Sequence, residues 1–113
     1  MTPGTIVLTA FPYTNLRHTS HRPAVVIFGG NANSPDVIVA FISSVLPDTL
    51  MDSDFLLPDT HPDFRLSGLK KSSIVKLDKL ATLHKSIFSG ELGYVSPALF
   101  ELVKEKLRLV LNL

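Results

Sequence analysis

A chain of 113 residues and 12.4 kDa has length for one ordinary core, so residues 1–113 are expected to fold as a single domain. Its 45% hydrophobic and 19% charged content excludes intrinsic disorder, and 11 Lys and Arg against 10 Asp and Glu leave a net charge of +1, which excludes a global basic field for nucleic acid. The absence of cysteine removes a disulfide framework, a thiolate metal site and a cysteine nucleophile together.

Residues 1 to 50 carry only Arg17, Arg22, Asp36 and Asp48 as charged side chains, and every lysine lies beyond them, so the first half is expected to supply the sheet core. Three segments there, Gly4 to Phe11, Pro23 to Phe28 and Asp36 to Ser43, are short and rich in Val, Ile and Phe. Each is bounded by Pro, Gly or Asn, as buried strands are. Between the second and third lies Gly29-Gly30-Asn31-Ala32-Asn33-Ser34-Pro35, a loop by composition.

The proline-bearing stretch from Pro47 to Gly68 holds an apolar island, Asp54-Phe55-Leu56-Leu57, expected to be a short edge strand. From Ser72 to Leu83, Val75 and Leu77 alternate with Lys76 and Asp78 before the apolar phase shifts to Leu80 and Leu83. This reads as one long strand with a bulge or bend near Lys79. Ser96-Pro97 is an N-cap followed by proline at the first helical position, and Leu99, Val103, Leu107 and Val110 then recur at helical spacing. Leu102, Leu109 and Leu113 lie off that stripe and could widen the buried face or serve a subunit contact, with widening preferred. The expected fold is mainly β, a small antiparallel barrel-like sheet closed by a C-terminal helix. Residues 1 to 15 lack the pattern of a secretory signal, and no run approaches ~18 consecutive apolar residues. A soluble, cytoplasmic protein without membrane contact is expected.

No phosphate-binding glycine loop, dinucleotide fingerprint, nucleophile elbow or zinc-binding His pair is present. His18 and His21 sit in a polar loop without a nearby carboxylate, so solvated or RNA-contacting histidines are preferred over metal ligands, and no metal or cofactor is expected.

Several blocks carry a more specific signal: Gly4-Thr5-Ile6-Val7-Leu8, Phe11-Pro12-Tyr13-Thr14, His21-Arg22-Pro23-Ala24-Val25-Val26, Ala40-Phe41-Ile42-Ser43-Ser44, Gly68-Leu69-Lys70 and Ser73 to Leu83 with its Lys76-Leu77-Asp78-Lys79-Leu80 centre. In this order and spacing the chain resembles the MazF/PemK family of toxin–antitoxin ribonucleases, in its PemK-like branch, from residue 4 to about residue 95. The resemblance implies an SH3-like barrel of the PemK/CcdB type, a homodimer, a small antitoxin partner, and metal-independent cleavage of single-stranded RNA. It also implies that Arg22, opening the second strand, and Ser43, where relatives carry threonine at the end of the third, act at the scissile phosphate. Lys79 stands where relatives often place glutamine against RNA. Tyr13, Thr14, Arg17, His18, His21 and Ser44 complete the RNA-binding residues expected from the resemblance.

These residue types suit cyclising cleavage of RNA, in which the 2′-hydroxyl attacks its own phosphate and leaves a 2′,3′-cyclic phosphate and a 5′-hydroxyl. Charge builds on phosphate oxygens, which a guanidinium fork and a neighbouring hydroxyl can share. A guanidinium stays protonated above pH ~12, so Arg22 is expected to act electrostatically, with proton donation to the leaving oxygen as a second role. Alternatives stay open. Arg22 could pair with an acid at a strand edge, Ser43 could bond local backbone, and the loop of Tyr13 and Arg17 could be an ordinary polar hairpin. Lys70 and Lys71 are expected to be solvated. As a whole, the chain could also be a non-catalytic module of this fold that binds a protein target such as gyrase, or an antitoxin alone.

Overall fold

The computed structural model describes residues 1–12 and 19–113. Its strands are β1 (Thr5–Pro12), β2 (Thr19–Phe28), β3 (Asp36–Ser43), β4 (Asp54–Leu57), β5 (Ser73–His84) and β6 (Phe88–Tyr94), followed by the helix α1 (Pro97–Val110). They form a six-stranded sheet in the order β4-β5-β3-β2-β1-β6, with every pairing antiparallel. β3 and β4 have the expected limits, and β4 is an edge strand. β6 and the 3-10 turn at Phe64–Ser67 are additions to the expected elements: FSGELGY carries two glycines and no β-branched residue, so its strand character comes from pairing with β1 rather than from propensity.

Side chains alternate between two cores because strand neighbours point to opposite faces. Ile6, Val25, Ala40, Ile42, Val75 and Leu77 pack with Leu57 and with Leu99, Phe100 and Val103 of the helix, while Val7, Ala24, Val26, Val37 and Val39 pack together on the other face. Curling buries both faces, which explains the near-continuous apolar runs in β2 and β3. The turn at Phe64–Ser67 lies on β6, where a Cβ at Gly93 would run into the Leu66 carbonyl oxygen. Only glycine permits that approach.

The helix begins as its sequence dictates. Ser96 Oγ accepts a hydrogen bond from the Leu99 N–H at 3.4 Å, and Pro97 occupies the first turn, where its missing N–H costs nothing. Leu99, Phe100 and Val103 are buried, with Leu107 and Val110 packed beside them. The expectation for the off-stripe leucines is corrected: Leu102, Leu109 and Leu113 are 50%, 78% and 84% exposed. Phe100 broadens the buried arc on its opposite side, so these leucines rotate away from the sheet.

β5 bends where its apolar phase shifts. Ala40 pairs with Leu80 and the next residue, Phe41, pairs with Lys76, so Leu77, Asp78 and Lys79 occupy a bulge on β5. The Leu77 N–H donates to the Ser53 carbonyl at 3.0 Å, one step beyond the Asp54–Lys76 pair of the β4–β5 ladder. Such bulges sharpen strand twist and re-aim side chains.

Candidate functional site

A cavity of about 280 Å³ opens on the sheet face that carries Phe41, lined by Arg22, Phe41, Ile42, Ser43, Val45, Pro47, Met51, Asp54, Ile74, Lys76 and Lys79. Strand register explains its membership. Ala24 pairs with Phe41, the last pair of the β2–β3 ladder before Pro23, whose ring nitrogen has no hydrogen to donate, and Arg22 and Ser43 both line the cavity beyond that pair. Ser43 pairs with Ile74 and Phe41 with Lys76 across β5, and Lys76 pairs with Asp54 across β4. Arg22, Phe41, Ser43, Ile74, Lys76 and Asp54 therefore share one face through three strand junctions. The bulge adds Lys79.

Arg22 is exposed, and its backbone is fixed from below: the wholly buried Thr9 donates its Oγ1 hydrogen to the Arg22 carbonyl at 3.0 Å. Ser43 is half-buried, and its Oγ accepts the Val45 N–H at 3.2 Å. That is the local backbone bond weighed above. Because the hydroxyl acts in it as acceptor, its own proton is not consumed and can be donated.

Asp54 forms the floor. Its side chain is wholly buried, its Oδ2 accepts the Met51 N–H at 2.9 Å, and the Lys76 ammonium lies 3.0 Å from Oδ1, an ionic contact outside hydrogen-bond alignment. Burial works to raise the carboxyl pKa, but the Met51 N–H and the Lys76 charge outweigh it and hold the group below its ordinary value. Neither Asp54 nor Lys76 was singled out from the sequence. Lys76 reads as the polar member of an alternating strand, and only the pairing of β4 with β5 reveals its acid.

The site residues expected from the sequence thus divide. Arg22, Ser43 and Lys79 are brought to one cavity, whereas His21, the strand neighbour of Arg22, turns away and its Nδ1 lies 3.0 Å from Ser89 Oγ on β6. Ser44 is exposed and outside the lining. Tyr13, Thr14, Arg17 and His18 lie outside the described residues. A larger groove of about 540 Å³, between Asp52-Ser53 and the end of α1, is lined by Asp52, Ser53, Lys106, Leu109 and Val110 and holds none of the expected residues. Among the described residues no three His, Asp or Glu side chains converge as metal ligands, and no helix is long and apolar enough to cross a membrane.

Residues 2–111 match the family described as PemK-like, MazF-like toxins of type II toxin–antitoxin systems. The chain belongs to this family. Solved structures of similar fold include the Mycobacterium tuberculosis toxin MazF-mt6, at 16% identity and a TM-score of 0.72, with 99% of this chain and 98% of that chain covered. An endoribonuclease in complex with its cognate antitoxin, from a mycobacterial species, aligns at 18% identity and a TM-score of 0.75 over 100% and 96% of the two chains. A further mycobacterial endoribonuclease aligns at 18% identity and 0.71 over 100% and 92%. No curated protein sequence matches the chain. At these identities the solved structures establish a shared MazF-like fold, so the chemistry of the PemK-like, MazF-like chain has to be argued from its own cavity.

Proposed function

We propose that the chain is the toxin of a type II toxin–antitoxin pair and acts as a metal-independent endoribonuclease on single-stranded RNA, including mRNA. The observation that carries this reading is the convergence of Arg22, Ser43 and Lys79 on one open cavity. A folded duplex is bulky, whereas a single strand can lay one phosphate into such a recess and splay its bases over the rim.

In the reaction the O2′–P bond forms and the P–O5′ bond breaks. The 2′-hydroxyl gives up its proton, and the departing O5′ gains one. Negative charge accumulates on the non-bridging oxygens in between. Arg22 offers a planar fork of donors to those oxygens, and Ser43 offers its unconsumed hydroxyl proton; the Arg22 backbone and the Ser43 hydroxyl are held before substrate arrives, which limits the reorganisation opposing their action. Lys79 extends the positive rim along the strand.

A cognate antitoxin, a homodimeric assembly and a cytoplasmic location belong to the same proposal. The antitoxin is supported by family membership and by the similar endoribonuclease solved with its own antitoxin. The dimer is supported by exposed apolar side chains, among them Val45, Leu109 and Leu113, on so small a chain. Incubation of the purified chain with a long single-stranded RNA in EDTA tests the reaction. Fragments ending in cyclic phosphate are expected, and intact RNA would move the assignment to a module that acts by binding protein.

A further inference from the structure

We infer that Lys76 is a second cationic contact for the phosphate in this cavity and that Asp54 is the positioning residue that holds its ammonium in place. The inference rests on the ribonuclease reading above and extends it to two residues outside the Arg22–Ser43 pair.

Three observations carry it. Lys76 lines the cavity with Arg22, Ser43 and Lys79, on the same sheet face. Phe41 pairs with Lys76 and Ser43 with Ile74, so Lys76 is the diagonal cross-strand neighbour of Ser43; such neighbours lie roughly 7–8 Å apart, within the span a long side chain covers. The Lys76 side chain is only 19% exposed, and its ammonium sits 3.0 Å from a carboxylate that is itself wholly buried and anchored by the Met51 N–H. A surface lysine is a mobile, hydrated charge. This one is desolvated and fixed.

The arrangement also explains why an acid lies beside an anion site. A lone ammonium at this depth would carry a large desolvation cost, and the buried carboxylate offsets it. An ammonium has three N–H donors, and an ionic contact with Asp54 that engages none of them in an aligned hydrogen bond leaves them for a phosphate oxygen. Asp54 thus fixes the direction of a charge at the cavity floor while Arg22 approaches from β2.

The test uses the full chain with two probes: single-stranded RNA for cleavage, and a short mixed-sequence 2′-O-methyl RNA that lacks a free 2′-hydroxyl and is bound without being cut. The double variant Asp54→Asn with Lys76→Met removes both charges, leaves the net charge unchanged and orphans neither group. It should lower cleavage about tenfold, less than the ~10² expected for a dedicated transition-state donor. It should also flatten the logarithmic salt dependence of probe binding by about 0.7, the share of one phosphate contact on a single strand. The single variant Asp54→Asn keeps the ammonium and loses its anchor, so kcat should fall while probe binding holds or tightens, a split that a purely structural ion pair would not produce. A folded double variant with wild-type cleavage and salt dependence would overturn the inference.

Should the double variant fail to fold, the Nζ resonance of Lys76 in the wild-type chain decides. It should shift when the probe is added, and an unmoved signal while other residues report binding would overturn the assignment. Cleavage by the wild type together with Lys76-independent binding would defeat this inference alone. A wild type that neither cuts RNA nor binds the probe would defeat the ribonuclease reading with it.

Discussion

Arg22 and Ser43 meet at one cavity beyond the last β2–β3 pair, and their contributions should separate on mutation. Arg22→Ala should lower RNA cleavage by ~10²-fold or more, the scale of losing a preorganised donor, and Arg22→Lys should restore little because a point charge cannot reproduce the fork. Ser43→Ala should cost less, and Ser43→Thr should be tolerated, since threonine keeps the hydroxyl and adds one methyl group. Rates on a common RNA, with circular dichroism as the folding control, check this series. Thr9 supports Arg22 from inside the sheet, so Thr9→Val should destabilise the fold by about 1 kcal/mol in urea titrations through loss of one buried hydrogen bond. Asp54 carries a pH signature. Its carboxyl is held below its ordinary value in the folded chain, so its stabilisation is present above the unfolded value near pH ~4 and is lost as pH falls through the lowered folded value. The stability difference between wild type and Asp54→Asn should therefore be largest near neutrality and shrink in acid, as denaturation curves across that range would show.

At the scale of the elements, chemistry that acts locally was legible and pairing between distant segments was not. The Ser96-Pro97 start of α1 needs only neighbouring residues, and Ser96→Ala should cost about 1 kcal/mol of stability while leaving cleavage per folded molecule unchanged. The bend in β5 announced itself through the slipped apolar phase between Leu77 and Leu80. β6 gave no such signal, because Gly90 and Gly93 lower its propensity and Gly93 is there for the close passage of the Phe64–Ser67 turn. Gly93→Ala should destabilise the chain by about 1–3 kcal/mol, the usual cost of overpacking, and a smaller thermal shift would show that the turn can give way. The site was legible to the same extent. Arg22 beside its proline, Ser43 at a strand end and Lys79 at the phase shift stand out in the sequence, whereas Lys76 and Asp54 are joined only by the β4–β5 register.

For the molecule as a whole, a small chain buries apolar side chains on both faces of one sheet and gathers Arg22, Ser43, Lys76 and Lys79 around one cavity. Leu102, Leu109 and Leu113 stay outside both cores, which suits a partner surface better than a widened core. Sedimentation at micromolar concentration should return about twice the 12.4 kDa chain mass, because a closed two-fold pair is the commonest symmetric assembly. A species at the chain mass would remove the dimer from the proposal. If the cavity of Arg22 and Ser43 cuts RNA by internal transesterification, the end chemistry of a single-stranded RNA incubated in EDTA with wild type and with Arg22→Ala will report it. The wild type should leave 2′,3′-cyclic phosphate and 5′-hydroxyl ends, and the variant should cut ~10²-fold more slowly; intact RNA with the wild type, or equal cleavage by both proteins, would overturn the assignment.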